Sequence, residues 1–199
     1  MGRIYYLMGK SASGKDTLFK RLLEECPGLH RMMLYTTRPR RDGEEEGIEY
    51  YFTTEEYLKD LKARGKVIES RTYQTVQGPW TYATVDDGQI CLEERDYLAI
   101  GTLESYEKIR DYYGADLVVP IYITVDDGVR LERALNREQK QKEPRYQELC
   151  RRYLADEEDF SPENLRRCGV CHFYENDNLD VCVQNIIVTV HGAGKTGQK

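Results

Sequence analysis

With 199 residues, 32% of them charged and 40% hydrophobic, the chain has the composition of an ordinary soluble globular protein and can bury a sizeable core as one compact domain with small insertions. A net charge of −6 argues against general nucleic-acid binding, although a local basic site for a phosphorylated small molecule stays open. No apolar run is long enough to cross a membrane, and MGRIYYLM is too short for the apolar core of a signal peptide, so a cytoplasmic protein with reduced cysteines is expected.

The first element is IYYLM at residues 4 to 8, a continuous apolar run of strand formers that suits a strand buried on both faces. It leads into GKSASGKDT, which meets the phosphate-loop pattern G-x-x-x-x-G-K-[ST] at Gly9, Gly14 and Lys15 but carries Asp16 where a hydroxyl is expected. From Asp16 the sequence TLFKRLLEECPG places Leu18, Leu22 and Leu23 on one helical face and ends at Cys26-Pro27-Gly28. Strand, glycine loop and helix therefore stand in the order a nucleotide site needs. Backbone N–H groups of residues 10 to 15 are expected around phosphate oxygens, with Lys15 reaching the terminal phosphates. The candidate ATP-binding set is Gly9, Ser11, Ala12, Ser13, Gly14, Lys15, Asp16 and Thr17. The plain alternative is a glycine-rich turn opening a helix. A second string, HGAGKTGQK, has Thr189 at the leading-glycine position and only three residues after Thr196, so 191–199 reads as a flexible tail.

The remaining elements alternate. Residues 54 to 64 read as a helix capped at Thr53 or Thr54, and VIESRTY and WTYAT as short strands separated by a turn near QGP. Strands at 96 to 101 and 117 to 125 flank a helix from Thr102 to Tyr113, and further helices follow at 127 to 137, 146 to 159 and 179 to 188. This predicts an α/β fold with a parallel sheet covered by helices on both faces. CGVCH at 168 to 172 has the spacing of a haem-attachment motif and could give three zinc ligands. Without an export signal or a second close-spaced pair, it reads instead as small apolar residues leading into a buried strand.

Residues 36 to 52, TTRPRRDGEEEGIEYYF, crowd Arg38, Arg40 and Arg41 into a short segment that could fork onto a phosphate or simply be a solvated charged loop. Together with GKSASGK, this segment closely resembles the signature of the guanylate kinase family, T-T-R-x-x-R-x-G-E followed by G-x-x-Y-x-F. The similarity continues through VIES, WTYAT, RLERALNRE and FYENDNLD. The resemblance implies a P-loop NTPase-type core at 1–33, 85–125 and 155–190, an inserted nucleoside-monophosphate-binding lobe at 34–84 and a helical lid at 126–154. It further implies that Arg38, Arg41 and Tyr50 hold the acceptor phosphate, with Glu44 bracing the arginines and Tyr82 adding a contact. Glu69 would accept from the ring N–H and amino group of guanine, a donor pair adenine lacks, with Thr84 beside the base. Arg133 and Arg137 share one helix face and match the lid pair, and Arg152 or Arg151 matches a third arginine. With Lys15 they would neutralise the transferring phosphoryl group; elsewhere such arginines usually pair on a helix surface with neighbours such as Glu132 and Glu138. No general base is needed, because a monophosphate oxygen is already ionised.

Three departures from the family pattern stand out, at four positions: Leu34 replaces a serine that contacts the base, Ala99 and Gly101 replace strand-end carboxylates, and Asp16 stands in the loop. A carboxylate beside the phosphates suits a hard ion such as magnesium. Without the ion it would face like charges about 4 Å away, a repulsion of roughly 4 kcal/mol at an effective dielectric near 20. Asp16 is therefore expected to bind magnesium as a relocated carboxylate, with ATP as donor and GMP as the expected acceptor. Two alternatives remain: a kinase forming ribose 1,5-bisphosphate, whose relatives also carry G-K-D, and a non-catalytic guanylate-kinase-like binding module. Small-molecule nucleotides are the expected partners, with no nucleic acid and no membrane; the sequence leaves the oligomeric state open.

Overall fold

A computed structural model describes residues 1–41, 43–75 and 78–193. The elements in chain order are β1 (Ile4–Gly9), α1 (Lys15–Glu25), β2 (Leu29–Arg31), β3 (Tyr35–Thr36), β4 (Tyr51–Phe52), α2 (Glu55–Ala63), β5 (Val67–Thr75) and β6 (Gly78–Val85). They continue with β7 (Asp96–Gly101), α3 (Leu103–Tyr113), β8 (Val118–Thr124), α4 (Asp127–Gln139), α5 (Tyr146–Asp159), α6 (Pro162–Arg167), β9 (Phe173–Glu175) and α7 (Leu179–Ala193). Among the described residues no helix is long and apolar enough to cross a membrane.

Two sheets organise these elements. The core sheet has the order β2-β7-β1-β8-β9 and every pairing in it is parallel, as the uninterrupted apolar runs predict. Strand β1 is central and wholly buried, and its side chains alternate between two cores. Tyr5 and Leu7 pack with Leu18, Leu22 and Ile186 of α1 and α7, whereas Ile4, Tyr6 and Met8 pack with Leu103, Tyr106 and Ile109 of α3. The second sheet, β4-β3-β6-β5, combines a parallel β3–β4 bridge with the antiparallel β5–β6 hairpin. Helix α2, capped by the Thr54 hydroxyl on Tyr57 N–H, covers it with Leu58 and Leu61.

Several boundaries differ from the expectations. Strands β2, β3 and β4 and helix α6 went unread, being two to six residues long and stabilised by their sheet and core neighbours rather than by a periodic pattern. Helix α5 runs unbroken across the position 154/155 drawn as a lid boundary. Helix α7 continues to Ala193, five residues beyond the expected end, and residues 194–199 of the expected tail lie outside the described residues. The turn near QGP also falls partly outside them.

One departure acquires a local cause. At Gly101, the end of β7, a Cβ would meet the Tyr6 hydroxyl at 2.2 Å and Ser105 Oγ at 2.7 Å. Tyr6 and Ser105 are hydrogen-bonded to each other and buried, so the space a side chain at 101 would need is filled by a phenol from the neighbouring strand. Ala99, two residues earlier, is likewise packed in the α3-side core. Gly101→Ala should therefore destabilise the fold by about 1–3 kcal/mol through overpacking. Thermal unfolding of Gly101→Ala alone and combined with Tyr6→Phe checks this, with the double variant expected to regain part of the lost Tm.

Candidate active site

The glycine loop between β1 and α1 is shaped by close approaches. A Cβ at Gly9 would meet the Ile123 carbonyl oxygen at 2.8 Å and Ser13 Oγ at 2.9 Å. Ala12 (φ 63°) and Gly14 (φ 86°) are left-handed, and a Cβ at Gly14 would meet Asn176 Nδ2 at 2.4 Å. Asn176, buried just after β9, donates its amide to the Ser13 carbonyl at 2.8 Å. These constraints curl the loop so that the amides opening α1, including those of Lys15 and Asp16, have no intrahelical acceptor and are open to an anion. The Ser11 amide is different: it donates to Asp156 Oδ2 at 2.7 Å, so a carboxylate already holds one of the expected phosphate-loop donors.

Six residues of the candidate ATP set, Ser11, Ala12, Gly14, Lys15, Asp16 and Thr17, line a cavity of about 340 Å³ together with Arg133, Arg137 and Arg152. Helices α4 and α5 thus bring three guanidinium groups over the loop lysine. Arg133 donates to the Asn176 carbonyl at 3.4 Å, and Arg152 lies 3.9 Å from Glu138 and 3.7 Å from Glu148. Arg151, the other candidate for third arginine, instead makes two hydrogen bonds to Glu148 at 2.7 and 2.8 Å and lines a separate cleft beside the β5–β6 hairpin. Burial lowers the Lys15 ammonium below its ordinary pKa, against the raising influence of Asp16 and Asp156.

A second cavity of about 390 Å³ adjoins the first and shares Asp16 with it; Leu34, Arg41, Glu44, Tyr50 and Ile100 are among its other walls. Behind its wall residues Glu44 and Tyr50, Arg38, 3% exposed, makes a fork onto Glu44 at 2.8 and 3.1 Å and lies 5.4 Å from the Tyr50 ring centre. Glu44 also accepts the Arg41 amide at 2.8 Å, so one carboxylate fixes both arginines. The Arg38 hydrogen bonds, then the Arg41 amide, hold the Glu44 carboxyl below the usual carboxylate range. Tyr82 on β6 stands edge-on to Tyr50, with ring centres 5.7 Å apart. Farther along the hairpin, Glu69 is 3% exposed and accepts the Thr84 hydroxyl at 2.9 Å from the position directly opposite. Leu34 contributes only hydrocarbon to the neighbouring wall.

Several functional neighbours escaped the sequence reading. Arg130, 2% exposed, donates to the Ser11 carbonyl at 3.3 Å and to Glu157 at 2.5 Å, and Lys10 meets the same Glu157 at 2.5 Å. Asp156 and Glu157 belong to the acidic run ADEED, which has the look of a solvated helix end; Asn176 lies within FYENDN, which carried the resemblance but no assigned contact. The CGVCH residues diverge, Cys168 being buried and Cys171 exposed, and among the described residues no three His, Cys, Asp or Glu side chains are gathered as for a metal ion.

Comparison with known proteins agrees with this architecture. A guanylate kinase of Granulibacter bethesdensis is 34% identical over 113 residues, covering 54% of this chain and 50% of that protein. The guanylate kinase of Helicobacter hepaticus is 29% identical over 143 residues, covering 69% and 68%. Guanylate kinase 2, chloroplastic/mitochondrial, of Oryza sativa subsp. japonica is 28% identical over 141 residues, covering 67% of this chain and 46% of that one. The matched region thus spans from about half to about two thirds of these relatives' length. The crystal structure of guanylate kinase from Anaplasma phagocytophilum superposes with a TM-score of 0.64 at 22% identity, over 98% of this chain and 88% of that one, a likeness of fold. Residues 1–151 match the family model for guanylate kinase, and the chain belongs to the guanylate kinase family.

Proposed function

We propose that the chain transfers the γ-phosphoryl group of ATP to the phosphate of a nucleoside monophosphate, with GMP the preferred acceptor. The observation that carries this reading is the position of Asp16, which lines both the cavity of Lys15 and the lid arginines and the cavity of Arg41 and Tyr50. Donor and acceptor sites therefore meet at one carboxylate at the start of α1. Family membership supplies the reaction class.

Each group has a role that electrostatics can assign. Loop amides and Lys15 hold the donor's phosphates. Arg38, Arg41, Tyr50 and Tyr82 hold the acceptor phosphate, with Glu44 fixing the arginines. Arg133, Arg137 and Arg152 neutralise charge on the group in transit once the lid has displaced water, where such contacts are strongest. Glu69 and Thr84 face the base. A lone carboxylate among phosphates suits magnesium, which keeps several waters and takes one or two protein carboxylates plus substrate oxygens. Asp16 is the residue that would hold it, and the ion would offset the negative charge of the phosphates.

ADP release with ATP and magnesium, measured against GMP, dGMP, AMP, UMP and ribose 1-phosphate, tests the assignment. Turnover confined to guanine nucleotides is expected, and turnover only with the sugar phosphate would sink it. Lys15→Ala should reduce turnover by roughly 10²- to 10³-fold, the usual loss for one preorganised donor, without changing Tm.

Asp16→Thr addresses the metal. The half-saturating magnesium concentration and turnover should both change; if neither does, Asp16 is not a metal ligand. A third expectation follows from Glu44. Because its folded pKa lies below the ordinary carboxylate value of about 4.3, its pairing with Arg38 is complete above that pH and is lost as pH falls through the lower folded value. The Tm difference between wild type and Glu44→Gln should be constant at higher pH and close below about pH 4.

A further inference from the structure

Buried polar atoms in native proteins nearly always have hydrogen-bond partners, and those that do not often await a ligand or water. Here two such atoms face each other, Glu69 Oε2 and Arg71 Nε, 3.3 Å apart. Opposite charges hold them together, yet neither makes a hydrogen bond. The surrounding groups are committed elsewhere: Glu69 Oε1 accepts from Thr84, Arg71 Nη1 donates to Thr102 Oγ1 at 3.2 Å, and Tyr6 is hydrogen-bonded to Ser105. Arg71 forms part of the wall of a cleft of about 560 Å³ with Thr102 and Glu104, and its partner Glu69 is buried. In the hairpin register Glu69 stands opposite Thr84 and Arg71 opposite Tyr82. Arg71 thus stands directly across from Tyr82, with Glu69 two residues away along the same strand face, roughly 7 Å farther on.

We infer that Arg71 is a specificity-determining residue which, with Glu69, reads the acceptor's base; the inference rests on the acceptor site proposed above. Arg71 offers an unmet donor and Glu69 Oε2 an unmet acceptor beside it. Oε1 keeps a second lone pair beyond its bond from Thr84. A row of donor, acceptor and acceptor complements the edge of guanine, which presents a carbonyl, a ring N–H and an amino group. Adenine presents one acceptor and one donor there and would leave a buried partner unmet. The ring carbonyl is also the group that Leu34 and Gly101 cannot serve, since neither has a side-chain donor. Arg71 would supply that donor from the hairpin.

The test compares kcat/KM for GMP, its 6-thio analogue and AMP in wild type, Arg71→Ala and Arg71→Lys, with Tm recorded for each. A thiocarbonyl is a weaker acceptor but keeps the ring N–H and the amino group. Arg71→Ala should lower kcat/KM for GMP by roughly 10- to 100-fold, the range for losing a hydrogen bond to a charged group, mainly through KM. The preference for GMP over the thio analogue should shrink with it, AMP should change little, and Arg71→Lys should recover part of the loss. An unchanged GMP preference, or an equal loss on all three acceptors with a lowered Tm, would assign Arg71 to structure alone and overturn the inference. Wild-type protein that turns over none of these nucleotides would overturn the acceptor reading itself, and the role of Arg71 with it.

Discussion

The guanidinium of Arg130 is the point at which the nucleotide loop and the helices above it become one object. It is almost wholly buried, donates to the Ser11 carbonyl, bonds Asp127 at 3.0 and 3.1 Å and Glu157 at 2.5 Å, and lies 4.6 Å from the Tyr153 ring centre. Asp156 of α5 takes the Ser11 amide, so both polar groups of that one peptide position answer to α4 and α5. A buried charge removed from such a network leaves its partners uncompensated, which makes the arrangement strongly specified even where its net contribution is small. Helices α4 and α5 are consequently tied to the loop near Arg130 and Asp156. The arginines that face the cavity lie farther along the same two helices.

The proposed acceptor site divides into two halves. In its phosphate half, the Arg38–Glu44 fork with the backbone amide of Arg41 is a local structure written within seven residues. In its base half, Leu34 is apolar, Tyr6 fills the space at Gly101, and Arg71 stands at Glu69. These features are coupled by geometry: with a phenol buried at the strand end no side chain fits there, and under that proposal polar recognition falls to the hairpin.

That division also explains what could be read in the sequence. The phosphate loop with its flanking strand and helix is a contiguous string whose spacing points to Lys15, whereas the arginine segment, by itself equally a charged loop, gained its reading of Arg38 and Glu44 from the family resemblance. Helix α3 was legible because Thr102 caps it and Gly114 ends it. Relationships across the chain were not. The Tyr6 contact with Ser105 spans 99 positions, Arg130 to Ser11 spans 119 and Asn176 to Ser13 spans 163. No local pattern records such pairings, and a Tyr inside an apolar strand or an Asp in an acidic run gives no sign of its partner. The short strands β2, β3 and β4 were invisible for the same reason, since each exists through its neighbours.

The distinction that the sequence blurred most was between arginines that build and arginines that work. Arg130 is nearly inaccessible and multiply bonded, with hydrogen bonds to carboxylates of 2.5 to 3.1 Å. Moving it would expose an unpaired buried charge, so it is a fixed part of the frame. Arg133 and Arg152 face the loop cavity through contacts of 3.4 to 3.9 Å, at or beyond hydrogen-bond length, and the Arg152 side chain is 41% exposed. Pairs that long and that wet are worth little, and exchanging them for a phosphate oxygen loses almost nothing. Catalysis by positioning needs both kinds. In the proposed reaction the fixed guanidinium of Arg130 holds α4 and α5 to the loop, and the loosely paired ones would retain most of their attraction for charge arriving at Lys15 and Asp16.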